Sequence, residues 1–272
     1  MKRTDKILSK LVRSGYGMEI GPSYNPIAPK REGFTVDIID HMSRQSLLEK
    51  YRGFGVPDDR LALIEDVDYI WQGEEYGTLT GKTHHYDWIV ASHVVEHMPD
   101  LIAFFQQCDH VMKGTGILSL VVPDMRYCFD HFRPLSSLSS VIDKHMSNDE
   151  RHSPGTAAEF YLNAVSRGDK ILWSKKSTDE FKLAHSLDDA LKAMKQAQRG
   201  GAYEDYHSWC FVPHSFRLMI QDLHDLGLIP FQELEFFPTA GYEFFISLSR
   251  AGNGIDMPRL NALDIIKSES AE

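Results

Sequence analysis

The chain has 272 residues, 42% of them hydrophobic and 25% charged, which is enough for one large α/β domain with an insertion. A formal charge of −10 argues against a general nucleic-acid surface, which needs clustered Lys and Arg, and leaves room only for a local basic patch. Three widely separated cysteines (Cys108, Cys128, Cys210) give neither a disulfide nor a zinc framework and fit a reducing, cytoplasmic compartment.

Residues 1–14 are basic in part, lack the apolar run of a signal peptide, and read as a short amphipathic helix. No segment approaches the roughly 20 apolar residues of a membrane-spanning helix. From 15 to about 124, strand-like and helix-like signals alternate, the pattern of a parallel sheet with helical crossovers. Residues 16–20 predict a first strand and 33–38 a second, followed by a helix over 43–51. A third strand falls within 61–70 and a fourth over 86–92. Asp100 is a good cap for a helix with apolar residues at Leu101, Phe104, Phe105, Cys108, Val111 and Met112. Gly114 is expected to close that helix as a left-handed C-cap. Residues 116–122 are nearly all apolar, as a strand covered on both faces should be.

Residues 124–205 break the rhythm, being polar and rich in Ser, His, Asp and Lys, with helices expected over 136–146, 157–165 and 187–198. Alternation resumes with a helix over 213–227 that ends on a glycine. Strands over 231–237 and 242–249 follow, close enough to pair antiparallel. Signals weaken in the tail, 251–272. The expected fold is α/β: a Rossmann-like, seven-stranded, mostly parallel sheet with helices on both faces, one antiparallel strand, and a helical insertion after strand 5.

Four blocks carry chemical information. The first is GMEIGPSYNP (17–26), half of a nucleotide-binding fingerprint: a strand with an acid runs to Gly21, but the later glycines are missing. The second is Val36-Asp37, eighteen residues past Glu19, where a carboxylate can accept both ribose hydroxyls of a nucleoside. The third is YDWIVASHVVEHMPD (86–100), and the fourth is VMKGTGIL (111–118).

In order and spacing these blocks resemble the class I S-adenosylmethionine-dependent methyltransferases. The third is similar to that family's "fD-V-hxxEH-xxD" segment and the fourth to its "vLkpGGxl", with Thr115 in place of a glycine. VPDMRYCFDHFRP (122–134) and DYHSWCFVP (205–213) resemble a bacterial subgroup associated with cell-surface polysaccharide biosynthesis. The resemblance implies S-adenosylmethionine as cofactor and a methyltransferase domain over 15–250, with 124–205 as an acceptor-binding or lid segment. It also implies O-methylation of a saccharide or other small polar acceptor, with a His general base.

On that reading Asp37 takes the ribose, with Asp40 as the fallback. Gly21 and Ser23 shape the loop beneath the methionine portion. Glu19 orders that loop or reaches the amino group through water. Adenine lies near Ile70, Trp71 and Gln72, and His93 faces the methionine side. The base is sought among His207, His131 and His93, with Asp205 and Asp130 as orienting acids; on a strand, Asp205 and His207 would share a face. Trp209, Phe211, Tyr127 and Phe129 line the acceptor pocket or pack the core. Arg126 and Arg133 grip an acidic acceptor or pair with Asp124 and Asp130. His93-Val94-Val95-Glu96-His97 invites a metal, but the expectation is none, with Glu96 and His97 bonding neighbouring loops. Two rivals remain. One is an NAD-dependent oxidoreductase, disfavoured because a diphosphate needs close backbone approach at a helix N-terminus. The other is a non-catalytic descendant that binds a partner or a nucleoside.

Overall fold

The computed structural model describes residues 1–148, 151–200 and 205–271; parts of the expected insertion (149–150 and 201–204) and the last residue of the tail lie outside the described residues. A five-residue helix, α1 (Arg3–Ile7), precedes β1 (Tyr16–Ile20) and β2 (Thr35–Asp40). Helices α2 (Arg44–Gly53) and α3 (Asp58–Leu61) lead to a two-residue β3 (Tyr69–Ile70), much shorter than the apolar run over 61–70 suggested. Helix α4 (Tyr76–Thr80), β4 (Tyr86–Ser92), α5 (Leu101–Val111) and β5 (Met112–Pro123) follow. The insertion holds α6 (Leu138–Met146), α7 (Pro154–Asn163), the unforeseen hairpin β6 (Val165–Arg167) and β7 (Phe181–Leu183), and α8 (Leu187–Gln198). The chain ends with α9 (Pro213–Asp225), β8 (Gln232–Ala240), β9 (Glu243–Ser249) and α10 (Arg259–Glu269).

Seven strands form one sheet in the order β3-β2-β1-β4-β5-β9-β8. Pairings are parallel up to β4–β5, and β9 runs antiparallel to both neighbours. The sheet is therefore the Rossmann-like, mostly parallel one expected, with one antiparallel strand. Its side chains alternate between two cores. Ile89, Ala91, Leu118, Leu120 and Val122 pack with Phe105 of α5 and Phe216 and Ile220 of α9. Trp88, Val90 and Val121 face the other way, against Ile7 of α1 and the loop residues Ile27, Ala28 and Phe34.

Side-chain caps mark the starts of several helices. Ser43 and Asp100 accept the Ser46 and Ala103 amides at the starts of α2 and α5. Gly114 is a correction: α5 ends two residues earlier, where Met112 turns extended (φ −91°, ψ 146°), and Gly114 lies within β5. The tail, where the sequence signals are weak, carries a docked helix. Helix α10 docks on α9 with Ala262 fully buried, His214 Nδ1 donating to Glu269 Oε1 at 2.8 Å, and Arg259 bonded to Asp222.

Close approach fixes Gly17. It pairs with Trp88 in the adjacent strand, and a Cβ there would lie 2.1 Å from the buried indole ring. Overpacking of this kind costs about 1–3 kcal/mol. Gly17→Ala should lose stability in that range by urea unfolding, and an unchanged midpoint would show that the indole is free to move.

Candidate active site

The strand order reverses between β1 and β4, and a cavity of about 610 Å³ opens there, beyond the carboxyl ends of β1, β2 and β4. Its floor is the loop after β1. Gly21 adopts φ +63° and donates to Ile39 O at 2.8 Å, and Ser23 adopts φ +51°, a conformation uncommon for a residue with a Cβ. Glu19 places this loop. It is buried (1% exposed), and its two oxygens accept the amides of Ile27 at 2.6 Å and Ala28 at 3.0 Å. Burial raises its pKa to about 7 against those two amide bonds. Glu19 is thus the loop-ordering residue and stays out of the cavity lining. No α-helix follows β1: the chain runs through this loop to a three-residue 3₁₀ turn, Lys30–Glu32.

The acid expected to take a ribose does not reach the cavity. Asp37 lies mid-strand, where Tyr16 Oη (2.9 Å), Tyr86 Oη (2.6 Å) and Lys82 Nζ all donate to it. Burial opposes ionisation there, but these donors prevail and lower its pKa. Its carboxylate is thus engaged by three side chains, and it is absent from the cavity lining. Strand β2 runs two residues further than 38, so Asp40, the fallback, is the acid at its carboxyl end and lines the cavity. Asp40 Oδ1 accepts the His41 amide at 2.8 Å and lies 2.7 Å from His41 Nδ1, while Oδ2 has only the Ser23 amide at 3.3 Å and so keeps acceptor capacity for a ligand. Of the adenine trio only Trp71 lines the cavity; Gln72 instead donates its amide to Glu74 Oε2 at 2.8 Å.

His93 lines the cavity directly after β4, at φ +56°, and its Nε2 donates to Glu243 Oε2 at 2.9 Å. The base candidates separate. His131 lies outside the cavity lining, its Nδ1 donating to Arg126 O at 2.9 Å and its ring stacked on Phe181. His207 is 4% exposed and also absent from the lining, and its Nδ1 donates to Asp130 Oδ2 at 2.5 Å. Asp205 does line the cavity. Residues 205–212 form no strand, and Asp205 and His207 take different partners. Asp205 Oδ1 lies 3.0 Å from His97 Nδ1, off the line of a good hydrogen bond, and Lys50 Nζ is 3.4 Å from Oδ2.

His97 is the residue that sequence reasoning undervalued. It lines the cavity, and its ring packs edge-on to His207 with centroids 4.5 Å apart. Burial disfavours its charge, but Asp205, Glu96 and Asp130 prevail and raise its pKa. Asp205 is held far below the usual carboxylate range, because His97, Lys50 and His41 outweigh its burial. Burial likewise works against Asp130, yet His207 and Arg133 bring it down to about 2. His41, Tyr51 and Arg60, none singled out in the sequence, also line the cavity.

The remaining alternatives resolve towards structure. Trp209, Phe211 and Tyr127 are buried packing residues, and Phe129 packs on His207 and Phe160. Arg126 is bonded to Asp124, and Arg133 to Asp130, Glu159 and the His207 carbonyl. All three cysteines are buried and unpaired. Among the described residues no helix is long and apolar enough to cross a membrane.

No protein-family model and no curated protein matches the chain. Three solved structures illustrate its likenesses. The CurJ carbon methyltransferase shares 12% identity over 90% of this chain and 51% of its own, at a TM-score of 0.43, so this chain spans about half of it. A Rhodobacter sphaeroides protein provisionally named a Zn-dependent alcohol dehydrogenase shares 14% over 91% and 88%, at 0.45. An S-adenosylmethionine-dependent methyltransferase from Mesorhizobium loti shares 10% over 90% and 97%, at 0.43. Likenesses this distant assign no activity, and the names point two ways.

Glu19 yields a pH test. Its folded-state pKa lies above the ordinary value of 4.5, so the folded chain binds the extra proton between about pH 4.5 and 7. Its contribution is fully present below pH 4.5 and is lost as pH rises through 7. Unfolding free energy should fall less steeply over that window in Glu19→Gln than in the parent chain; parallel profiles by urea titration would refute it.

Proposed function

We propose that this chain is an S-adenosylmethionine-dependent methyltransferase that methylates oxygen on a saccharide or other small polar acceptor. The observation that carries the reading is the pairing of Asp40 with a helix-free loop after β1. A carboxylate at the end of β2 suits ribose hydroxyls. The absence of a helix N-terminus after β1 removes what a dinucleotide's diphosphate requires. S-adenosylmethionine brings a ribose and a cation but no phosphate. Gly21 and Ser23 would underlie its methionine portion, and Trp71 would border its adenine.

The acceptor approaches from the insertion side, where Leu172 and Asp205 reach the cavity. Methyl transfer gains chiefly from holding donor and acceptor in line, and a hydroxyl acceptor must also lose its proton. His41, His93 and His97 all line the cavity with an acid beside them, but only His97 has an acid from the insertion, Asp205, so we assign proton removal to it, with His207 packed against its ring. The saccharide class rests on the resemblance of residues 122–134 and 205–213.

Calorimetry should show binding of S-adenosylmethionine and S-adenosylhomocysteine but not of NAD; NAD binding alone would refute the reading. Asp40→Ala should weaken cofactor affinity at least about tenfold, roughly 1.4 kcal/mol. Asp37→Asn should lower the melting temperature and leave affinity within a few-fold. If the two variants exchange these effects, the ribose belongs to Asp37 after all. With radiolabelled cofactor and a panel of sugar acceptors, His97→Gln should cut turnover about 10²–10⁴-fold while cofactor affinity is kept. Full turnover would remove His97 from the chemistry.

A further inference from the structure

Glu96 is fully buried, and neither of its carboxylate oxygens has a hydrogen-bond partner among the described residues. An ionised carboxylate is costly to bury unless it is paired or coordinates a metal. Three imidazoles flank it, each backed by a different acid; His93 Nδ1 lies 3.6 Å from Glu96 Oε1, with its Nε2 on Glu243. His207 Nδ1 donates to Asp130, which leaves Nε2 3.8 Å from Glu96 Oε1. His97 sits against Asp205, and one donor atom each from Glu96, His97 and His207 lies within 4.8 Å of the others. These separations are too long for hydrogen bonds. Donors that share one ion at about 2.0–2.2 Å stand roughly 3–3.5 Å apart, so a small contraction would seat one.

The backbone fixes this juxtaposition. Glu96 and His97 belong to a 3₁₀ turn, Val95–His97, after β4, while His207 comes from the far end of the insertion. The amides of Ser208 and Trp209 both donate to Glu96 O, at 2.7 and 3.1 Å, and Trp209 Nε1 donates to Met98 O at 2.6 Å. The segment that carries His207 is thus laced to the turn that carries the other two groups.

We propose that Glu96, His97 and His207 bind one divalent first-row transition-metal ion behind the cavity wall, reached from the cavity past His97, the one of the three that lines it. Two imidazoles and one carboxylate suit such an ion better than magnesium or calcium. A carboxylate on the far nitrogen is the usual companion of a metal-ligating histidine, and it makes Asp130 a positioning residue. The role of the ion rests on the methyltransferase reading, but its binding does not. With the ion seated, His97 would be a ligand and no longer the base, so the ion would replace it in proton removal: an acceptor hydroxyl on an open position would be acidified and lose its proton to water.

The test uses the full chain, free of any affinity tag and stripped of metal, without S-adenosylmethionine. Cobalt(II) is followed by visible absorption and zinc(II) by calorimetry. One ion per chain is expected, with micromolar or tighter affinity. Glu96→Gln and His207→Gln should weaken it at least tenfold with an unchanged circular dichroism spectrum, and Asp130→Asn should weaken it about 10–100-fold. If Glu96→Gln fails to fold, His97→Gln, on the cavity surface, takes its place. No stoichiometric binding by the parent chain, or equal affinity in the folded ligand variants, overturns the site. S-adenosylmethionine binding without metal binding would overturn the ion site alone. Metal binding without S-adenosylmethionine binding would uphold the ion site and refute the cofactor reading.

Discussion

The carboxylate of Glu19 is the constraint on which the β1–β2 side of the cavity depends. In a doubly wound sheet the segment after β1 ordinarily becomes a helix, whose own hydrogen bonds satisfy its backbone. Here the segment stays a loop, and its amides need partners once it is covered. Two of them, at Ile27 and Ala28, point into the sheet and find both oxygens of one buried acid. That lets Ile27 and Ala28 join the apolar layer under Trp88 and Val90 while Gly21–Ser23 turn outward beneath the cavity. The left-handed backbone at Gly21 and Ser23 follows from this reversal of direction over so few residues.

A second regularity governs the side of the cavity towards the insertion. The three histidines nearest Glu96 each face a separate acid: His93 faces Glu243, His97 faces Asp205, and His207 faces Asp130. Arg133 adds a cation behind Asp130 and Lys50 another beside Asp205. Every acid in the group but Glu96 has a hydrogen-bond or ion-pair partner of its own behind the imidazole it faces. Glu96 has only the rings themselves, at distances of 3.6 Å to His93 and 3.8 Å to His207. This contrast singles out Glu96 in a neighbourhood rich in charge.

The sheet was legible because its pattern is chemical at every step: apolar runs for strands buried on both faces, Ser43 and Asp100 for helix starts, and a glycine stop after α9. Where the reading slipped, a local signal was overruled by packing. Gly114 looked like a helix cap, but α5 passes straight into β5, whose pairing with β4 begins at Met112. Asp37 looked like the ribose acid because the strand was ended too soon; the pattern Val36-Asp37-Ile38-Ile39-Asp40 carries on to a second acid, at the strand end. Tyr16, Tyr86 and Lys82, far apart in the chain, then claim the first. Asp205 was legible as a cavity residue, whereas its partner was not. The sequence pairs it with His207 by proximity, and the fold gives it His97 from across the sheet. Such pairings depend on which loops meet, and no spacing rule encodes that.

The antiparallel β9 also has a consequence for the cavity. Parallel strands deliver their carboxyl ends to this edge, so each contributes the residues that follow it. Strand β9 delivers its amino end instead, with Glu243 opposite Pro123 and Tyr242 just before it on the cavity wall. Glu243 there accepts from His93 and from Arg3 of α1, while Arg3 also reaches Ser92. One acid at the start of the last strand thus joins the beginning of the chain to the residue that follows β4. The rim is complete only once β9 has paired, which ties a binding-competent cavity to the most non-local contact in the sheet. The same tie holds the strained His93 (φ +56°) from its ring end, so the backbone there is fixed by chain segments 150 residues apart.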